Sequence, residues 1–578
     1  MPRPRIVLLQ LPIPPPGPEP IRGNVPLAAG YLKLLAQARG LERDYEIEIL
    51  PPSLVNELGD EGLVAAIVER RPAMVGLTCY LWNIDRGLWL AQRIKQRDPS
   101  VLVLLGGPEI TADNAWVLES PAVDLAAVGE GEQTFCELLE AGRGGLRQVA
   151  ADGPAIAGLW RRGGPVPAFR APLKNLDAIS SPYLAGILDA ADEQMMMLET
   201  VRGCVFRCKF CYYPKSYDAL YFVSREKVTA NLRHAAARGA REIVLLDPTL
   251  NQRRDFVEFL ELLAAENPDR QFTYFGELRG EGITPQTAAL LRAANFSEVE
   301  IGLQSLDPHA QALMDRRVNR NAFERGARAM LDAGLAVRVD LILGLPGDTV
   351  DSFRANLDYL RNSGLYTSVQ VFNLSVLPGT AFRQEAAELG LEFSSRPPYY
   401  VLRTPTLTLE DIYQLMDEAQ EAFDIEFDPF PPPKLDFSAA AGPVRVARLD
   451  LDGQGQLPPA ESRAQAWTLW LRAADFDARR SEAARWIRRS LEDNPHTTLQ
   501  VVIDTPRLES VTERALIRCQ EACYPSTSYL DRFYSLHPNP LLRAKRLIVL
   551  ADPVERQRLD PDWTDRLEEY ATIVDRGE

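Results

Sequence analysis

Residues 202–213 read Arg202-Gly203-Cys204-Val205-Phe206-Arg207-Cys208-Lys209-Phe210-Cys211-Tyr212-Tyr213. Three of the seven cysteines fall here in the spacing C-x3-C-x2-C. Thiolates are soft ligands, and a loop so spaced can wrap one corner of an iron-sulfur cube. Three ligands for four irons leave one iron open. That iron can take the amino and carboxylate groups of S-adenosylmethionine (SAM), and an electron from the cluster can then break the sulfonium C–S bond. Structural zinc normally takes four ligands, and the nearest histidine, His234, falls in a predicted helix. Cys204, Cys208 and Cys211 are therefore expected to be both the metal ligands and the catalytic centre, holding a 4Fe-4S cluster.

Outward from this loop the pattern alternates between strand and helix. Strands are expected at Met195–Thr200, Glu242–Leu246, Gln271–Phe275, Glu298–Gly302, Val337–Leu343 and Val369–Leu374. Helices are expected between them, such as Ser224–Ala237 and Val350–Asn362. Six βα units in a row suit a partial (β/α)6 barrel over residues 192–400. Its chemistry belongs on the loops after the strand C-termini, and the cysteines follow the first strand.

The first 142 residues repeat the alternation with near-continuous apolar strands, as a parallel sheet covered on both faces requires. Glycines follow its strands at Gly106-Gly107-Pro108-Glu109 and Gly129-Glu130-Gly131-Glu132, where a backbone can approach a ligand closely. Thr78-Cys79-Tyr80-Leu81-Trp82-Asn83 follows the third strand. Residues 143–191, rich in Gly, Pro and Ala, read as a linker with a small hairpin around Ala157–Phe169. Residues 401–578 read as a separate α/β region, with helices at Glu410–Phe423, Arg463–Phe476 and Arg480–Leu491 and strands at Val444–Leu451 and Thr498–Ile503. The expected fold class is thus α/β, with three sheet units in one chain.

The cysteine loop, with Phe210 before its third cysteine, resembles the signature of the radical-SAM superfamily. Glu300-Ile301-Gly302-Leu303-Gln304-Ser305 and Asp340-Leu341-Ile342-Leu343-Gly344-Leu345-Pro346-Gly347 resemble the fourth- and fifth-strand motifs of its branch containing oxygen-independent coproporphyrinogen oxidase. The resemblance implies that Gln304 and Asp340 meet the SAM ribose and Arg316 its carboxylate. Asp247 and Glu277, on the same barrel face, are further candidates for contact with SAM or substrate. The N-terminal segment resembles cobalamin-binding domains fused to such barrels, which adds Thr78, Leu81, Trp82, Gly106, Gly107, Pro108, Gly129, Glu130 and Gly131 as cobalamin contacts. Many such domains carry a histidine that ligates cobalt from below. No histidine precedes His234, so either cobalamin binds without a histidine from this domain or the domain no longer binds it.

The resemblance implies a cobalamin-dependent methyltransferase of the class B type. One SAM would supply a methyl group through cobalamin, and a second would generate a radical that activates a carbon of a small-molecule or peptide substrate. A cyclisation or rearrangement with the same cofactors, and radical chemistry without cobalamin, are the alternatives. A flavodoxin- or ferredoxin-type electron donor is implied as partner.

A formal charge of −16 repels phosphate, so a general nucleic-acid partner is not expected. No stretch has the length and apolarity of a membrane span. Met1 to Leu11 lacks a cleavage site and reads as a first strand entering a proline-rich loop. With few cysteines, three of them clustered, the expected location is the cytoplasm. Cys519 and Cys523, one helical turn apart, read as packing. Tyr399 and Tyr400 read equally as pocket lining or aromatic core.

Overall fold

The structure is a computed structural model that describes residues 3–213, 217–435, 442–453, 455–524, 528–537, 539, 541, 543–559 and 562–576. Three sheets, parallel throughout except for one edge strand, organise it. The first contains β1 (Arg5–Gln10), β2 (Glu46–Ile49), β3 (Met74–Thr78), β4 (Leu102–Gly106), β5 (Leu125–Ala127) and β6 (Leu159–Arg161), in the order β2-β1-β3-β4-β5-β6. The chain reverses its direction of travel across the sheet between β1 and β3, which leaves a crevice at their C-terminal ends. Separate apolar cores cover the two faces, which is why the strands lack alternation. Part of the expected linker belongs to this unit. Leu146–Asp152 is helical, and the expected hairpin is a single strand, β6, antiparallel to β5. It caps the sheet edge that β5 would otherwise expose.

The second sheet runs β7 (Met195–Leu198), β8 (Glu242–Leu245), β9 (Thr273–Leu278), β10 (Phe296–Gln304), β11 (Ala336–Leu343) and β12 (Ser368–Asn373), each parallel to its neighbour in sequence. This is the expected open six-stranded barrel. Its helices begin where side chains cap the orphan N–H groups: Ser224, Thr284, Asn319 and Thr349 each accept from a first-turn amide.

The third sheet runs β13 (Val444–Asp450), β14 (Arg463–Arg472), β15 (Thr498–Asp504), β16 (Lys545–Ala551) and β17 (Thr572–Asp575), again parallel and in sequence order. The expected helix Arg463–Phe476 is instead β14, the second strand of this sheet, and only Phe476 begins a helix, Phe476–Asp493. Seven consecutive residues of β14 are buried. Covered on both sides, the strand shows no alternation to read. Its base docks on the N-terminal unit: the Gly59 amide donates to the Arg463 carbonyl (2.9 Å) and the Gln465 amide to the Glu57 carbonyl (2.9 Å).

Candidate functional site

The barrel strands deliver their C-terminal loops to one cavity of about 510 Å³. Cys204, Cys208 and Cys211 all line it, with Phe210. The loop that carries them is fixed at its root. Gly203 has φ +99°, and a Cβ there would lie 2.3 Å from the Ala219 carbonyl oxygen, so only glycine fits. The Val205 amide donates to Gln252 (3.0 Å), the Lys209 amide to the Met314 carbonyl (2.9 Å) and the Cys211 amide to the Cys208 carbonyl (3.1 Å). Burial raises the thiol of Cys204 and pushes that of Cys211 up to about 11, so iron must displace their protons on binding. Among the described residues no three Cys, His, Asp or Glu side chains are grouped to hold a single metal ion. The three thiols do line one cavity, as ligands that wrap a multi-iron cluster would have to.

The residues expected to hold SAM line the same cavity as the thiols. Gln304 Oε1, Arg316 Nε, Asp340 Oδ1 and Asn373 Oδ1 are buried, line or border this cavity, and have no hydrogen-bond partner among the described residues. Buried polar atoms are normally paired, so four orphans around one space imply a polar ligand there. Gln304 takes φ +67° at a break in register between β10 and β11. For a non-glycine residue this is a strained conformation of the kind concentrated at binding sites. Arg316 donates to the Gly302 carbonyl (2.5 Å) and lies 3.9 Å from Cys208 Sγ. Glu277 also lines the cavity; burial, then Glu300, push its carboxyl up to about 7 against the pull of Arg316. Burial and Glu300 likewise hold Asp340 well above the usual carboxylate range. A cationic sulfonium here would relieve both. Asp247 sits differently. Its carboxylate accepts from the amides of Thr200 (2.9 Å) and Val201 (3.1 Å) and does not line the cavity, so it braces the root of the cysteine loop.

The N-terminal sheet holds a second space, a slot of about 170 Å³ at the C-terminal ends of β1, β3 and β4, walled by the helices Leu27–Ala38 and Gly131–Ala141. Thr78, Gly106, Gly107, Gly129 and Gly131 line it. A Cβ at Gly106 would meet nothing nearer than Ala127 Cβ at 4.0 Å and would stand in open space, as in a cradle for a flat ligand. Gly107 is a glycine for another reason: at φ +109° its Cβ would strike the Cys79 carbonyl oxygen at 2.5 Å.

Other expected cobalamin residues are engaged elsewhere. Glu130 accepts from Arg202 (2.8 Å) and from the Leu173 amide (2.6 Å). Glu132 and Glu199 bind the same guanidinium, so the Gly-Glu-Gly-Glu loop grips the strand just before Cys204. Leu81 reaches the barrel cavity, and Trp82 stacks on Tyr80 at 4.4 Å while packing against the cluster formed by Tyr529, Leu530, Tyr534 and Ala544. Pro108 is half-buried in the loop after β4. Asn373 had no motif to reveal it, although it ends a barrel strand. The contributions of Tyr529, Phe533, Tyr534, Leu536 and His537 from the C-terminal region carried no sequence signal at all.

Residues 198–360 match the Radical SAM superfamily and residues 25–139 the B12 binding domain. The chain is 26% identical over 388 residues to the cobalamin-dependent radical SAM methyltransferase TokK of Streptomyces tokunonensis, covering 61% of this chain and 54% of that protein. It is 24% identical over 419 residues to the 2-(S-pantetheinyl)-carbapenam-3-carboxylate methyltransferase of Streptantibioticus cattleyicolor, covering 69% of this chain and 60% of that one. The chain thus spans between half and two thirds of these relatives' lengths. Among solved structures, the radical SAM methyltransferase TsrM of Kitasatospora setae superposes with a TM-score of 0.57 at 18% identity, over 72% of this chain and 89% of that one. The cobalamin-dependent SAM radical enzyme OxsB superposes with a TM-score of 0.51 at 13% identity, over 93% and 74%. At these identities the likeness is one of fold. No helix among the described residues is long and apolar enough to cross a membrane.

Proposed function

We propose, from the premise that this chain belongs to the radical SAM superfamily and carries a B12 binding domain, that it is a cobalamin-dependent radical SAM methyltransferase acting on a carbon of a small-molecule or peptide natural product. The observation that carries the reading is the convergence on one cavity of three thiols and four unpartnered polar atoms, beside a sheet with an apolar slot. When bound, the cluster would supply the electron that cleaves SAM, and cobalamin would supply the methyl group. The chain's own part is positional. Cys204, Cys208 and Cys211 would hold the cluster. Gln304, Arg316, Asp340 and Asn373 would orient SAM, while Glu277 adds negative charge. The slot lined by Gly106, Gly129 and Gly131 would take the tail of cobalamin, with no histidine from this domain beneath the metal. Apolar walls exclude water from a reactive radical. All seven cysteines are free thiols, which suits the cytoplasm and a flavodoxin- or ferredoxin-type donor there.

The test is product analysis. Anaerobically loaded protein, given SAM and a reductant, is expected to form both S-adenosylhomocysteine and 5′-deoxyadenosine, and Cys204→Ala, Cys208→Ala and Cys211→Ala should each abolish the second. 5′-Deoxyadenosine without S-adenosylhomocysteine would move the assignment to a rearrangement or cyclisation. Neither product from iron-loaded protein would overturn it.

A further inference from the structure

The cavity has a roof, and the C-terminal region builds it. Helix Tyr529–Phe533 and the turn Tyr534–Leu536 lie over the ends of the barrel strands. Their rings form a continuous aromatic surface: Phe533 lies 6.3 Å from Tyr400, 5.9 Å from Tyr529 and 5.1 Å from Tyr534. The roof is held from all sides. Asp531, 3% exposed, accepts from the amide and hydroxyl of Ser528 (2.8 Å each) and the Ala544 amide (3.0 Å), and pairs with buried Lys545 (3.0 Å). Arg532 reaches the Pro397 carbonyl on the barrel side (2.5 Å) and Asp85 on the N-terminal side. Tyr413 donates to the Ser535 carbonyl. The segment is therefore fastened to all three sheet units.

Two features of its inner surface bear on what lies beneath. Tyr400 and Tyr529, each 8% exposed, line the cavity, and their hydroxyls have no hydrogen-bond partner among the described residues. Neither hydroxyl is committed to a protein partner, so both are free to meet a polar group of a ligand in the cavity. The charge is one-sided: four carboxylates (Glu277, Glu300, Asp340 and Asp428) line the cavity against two guanidiniums, Arg279 and Arg316. Arg279 is already turned to Glu281 (3.2 Å) and the Arg317 carbonyl (2.9 Å). Arg316 belongs to the SAM end with Glu277 and Asp340, which leaves Glu300, paired with Arg338 (3.5 Å), and Asp428 to face the substrate. Among the described residues lining the cavity, acidic groups outnumber basic ones and no free cation remains to meet a carboxylate or phosphate on the substrate. A cation or an uncharged group would be welcome, the cation also finding aromatic faces.

We propose that segment 529–537 is the substrate-selecting roof of the active site and, with Tyr400, admits a largely apolar small molecule whose hydrogen-bonding group is uncharged or cationic. This rests on the methyltransferase reading above and names its substrate class. Phe533 and Tyr529 are specificity residues; Asp531 is a positioning residue that fixes the helix bearing them.

The test uses three indole probes of one shape and different charge: 3-methylindole, tryptamine and indole-3-acetate. Binding to the loaded full-length protein is measured by equilibrium dialysis with SAM present and no reductant. The first two should bind saturably and indole-3-acetate more than about tenfold more weakly. Phe533→Leu should weaken the two binders by about tenfold. Tyr529→Phe, which removes one hydroxyl and no volume, should weaken them less. Preferred or equal binding of indole-3-acetate, no saturable binding of any probe, or binding indifferent to both substitutions would overturn the proposal. Iron and cobalt are assayed in the same samples. Their absence would contradict the two-cofactor reading, whereas the charge preference needs no turnover and is judged separately.

Discussion

Gln304 and Gly302 make one device. The left-handed backbone at Gln304 turns its amide back over Gly302, so that a Cβ at residue 302 would lie 2.0 Å from Gln304 Nε2 and 3.1 Å from Arg316 Nη2. Gly302→Ala should fold, because flexible side-chain ends can move, but it should displace both groups. We expect SAM binding to weaken by about tenfold, measured by calorimetry, with iron content unchanged; unchanged SAM affinity would remove Gln304 from the site. Gly106 allows a parallel test, since its backbone is unstrained and a side chain there would occupy the slot. Gly106→Val should lose cobalamin in a cobalt assay while keeping iron. Residues of this kind were legible as far as local motif reached. The cysteines, Gln304, Arg316 and Asp340 stand in recognisable strings. Glu130 was legible as a loop residue, but its partner Arg202 lies far along the chain, and no local pattern announces a pairing of that sort.

Elements were legible where apolar runs or capping residues marked them, as in the first two sheets, and ambiguous where a strand buried polar residues among good helix formers. The barrel strands emerged close to their expected ranges because turn residues and capping side chains bracket them. Strand β14, Arg463–Arg472, carries Ala, Gln, Leu and Arg, all good helix formers, and its polar Arg463, Gln465 and Thr468 are buried. Tertiary context overrides propensity there. The short helix Tyr529–Phe533 is held by what surrounds Asp531 rather than by its own sequence. Burial pushes the Asp531 carboxyl up, but Lys545 and Ser528 more than offset this and bring it below its ordinary value. Asp531→Asn leaves Lys545 charged and buried without its partner and should cost about 3–5 kcal/mol in urea unfolding. Adding Lys545→Met should restore much of that loss. No loss in the single variant would mean that the pair does not hold the roof.

At the scale of the whole molecule, the three sheets meet around the barrel mouth, and the seam between the first and second contains a titrating group. Tyr399 donates to Glu109 Oε2 (2.5 Å), Asn114 donates to the same oxygen (3.0 Å), and Asp113 accepts from the Gly379 amide (2.8 Å). Burial raises Glu109 from 4.5 to about 7 despite these hydrogen bonds. The folded chain therefore holds a proton that the unfolded chain releases. The associated stability is fully present below the unfolded value and is lost as pH rises towards the folded one, on the order of 3 kcal/mol in all. Thermal unfolding between about pH 5 and about pH 8 should show this decline in the wild type and a flatter profile in Glu109→Gln. A decline of equal size in the variant would assign it to other groups. The central claim, that one chain brings a cluster and a cobalamin to a common cavity, is tested most directly by metal analysis of protein reconstituted anaerobically with iron, sulfide and cobalamin, then freed of unbound material. The expected result is about four irons and about one cobalt per chain, with iron lost in Cys204→Ala and cobalt retained. Iron without cobalt would contradict the two-cofactor site, and cobalt without iron would contradict the cysteine assignment on which the rest depends.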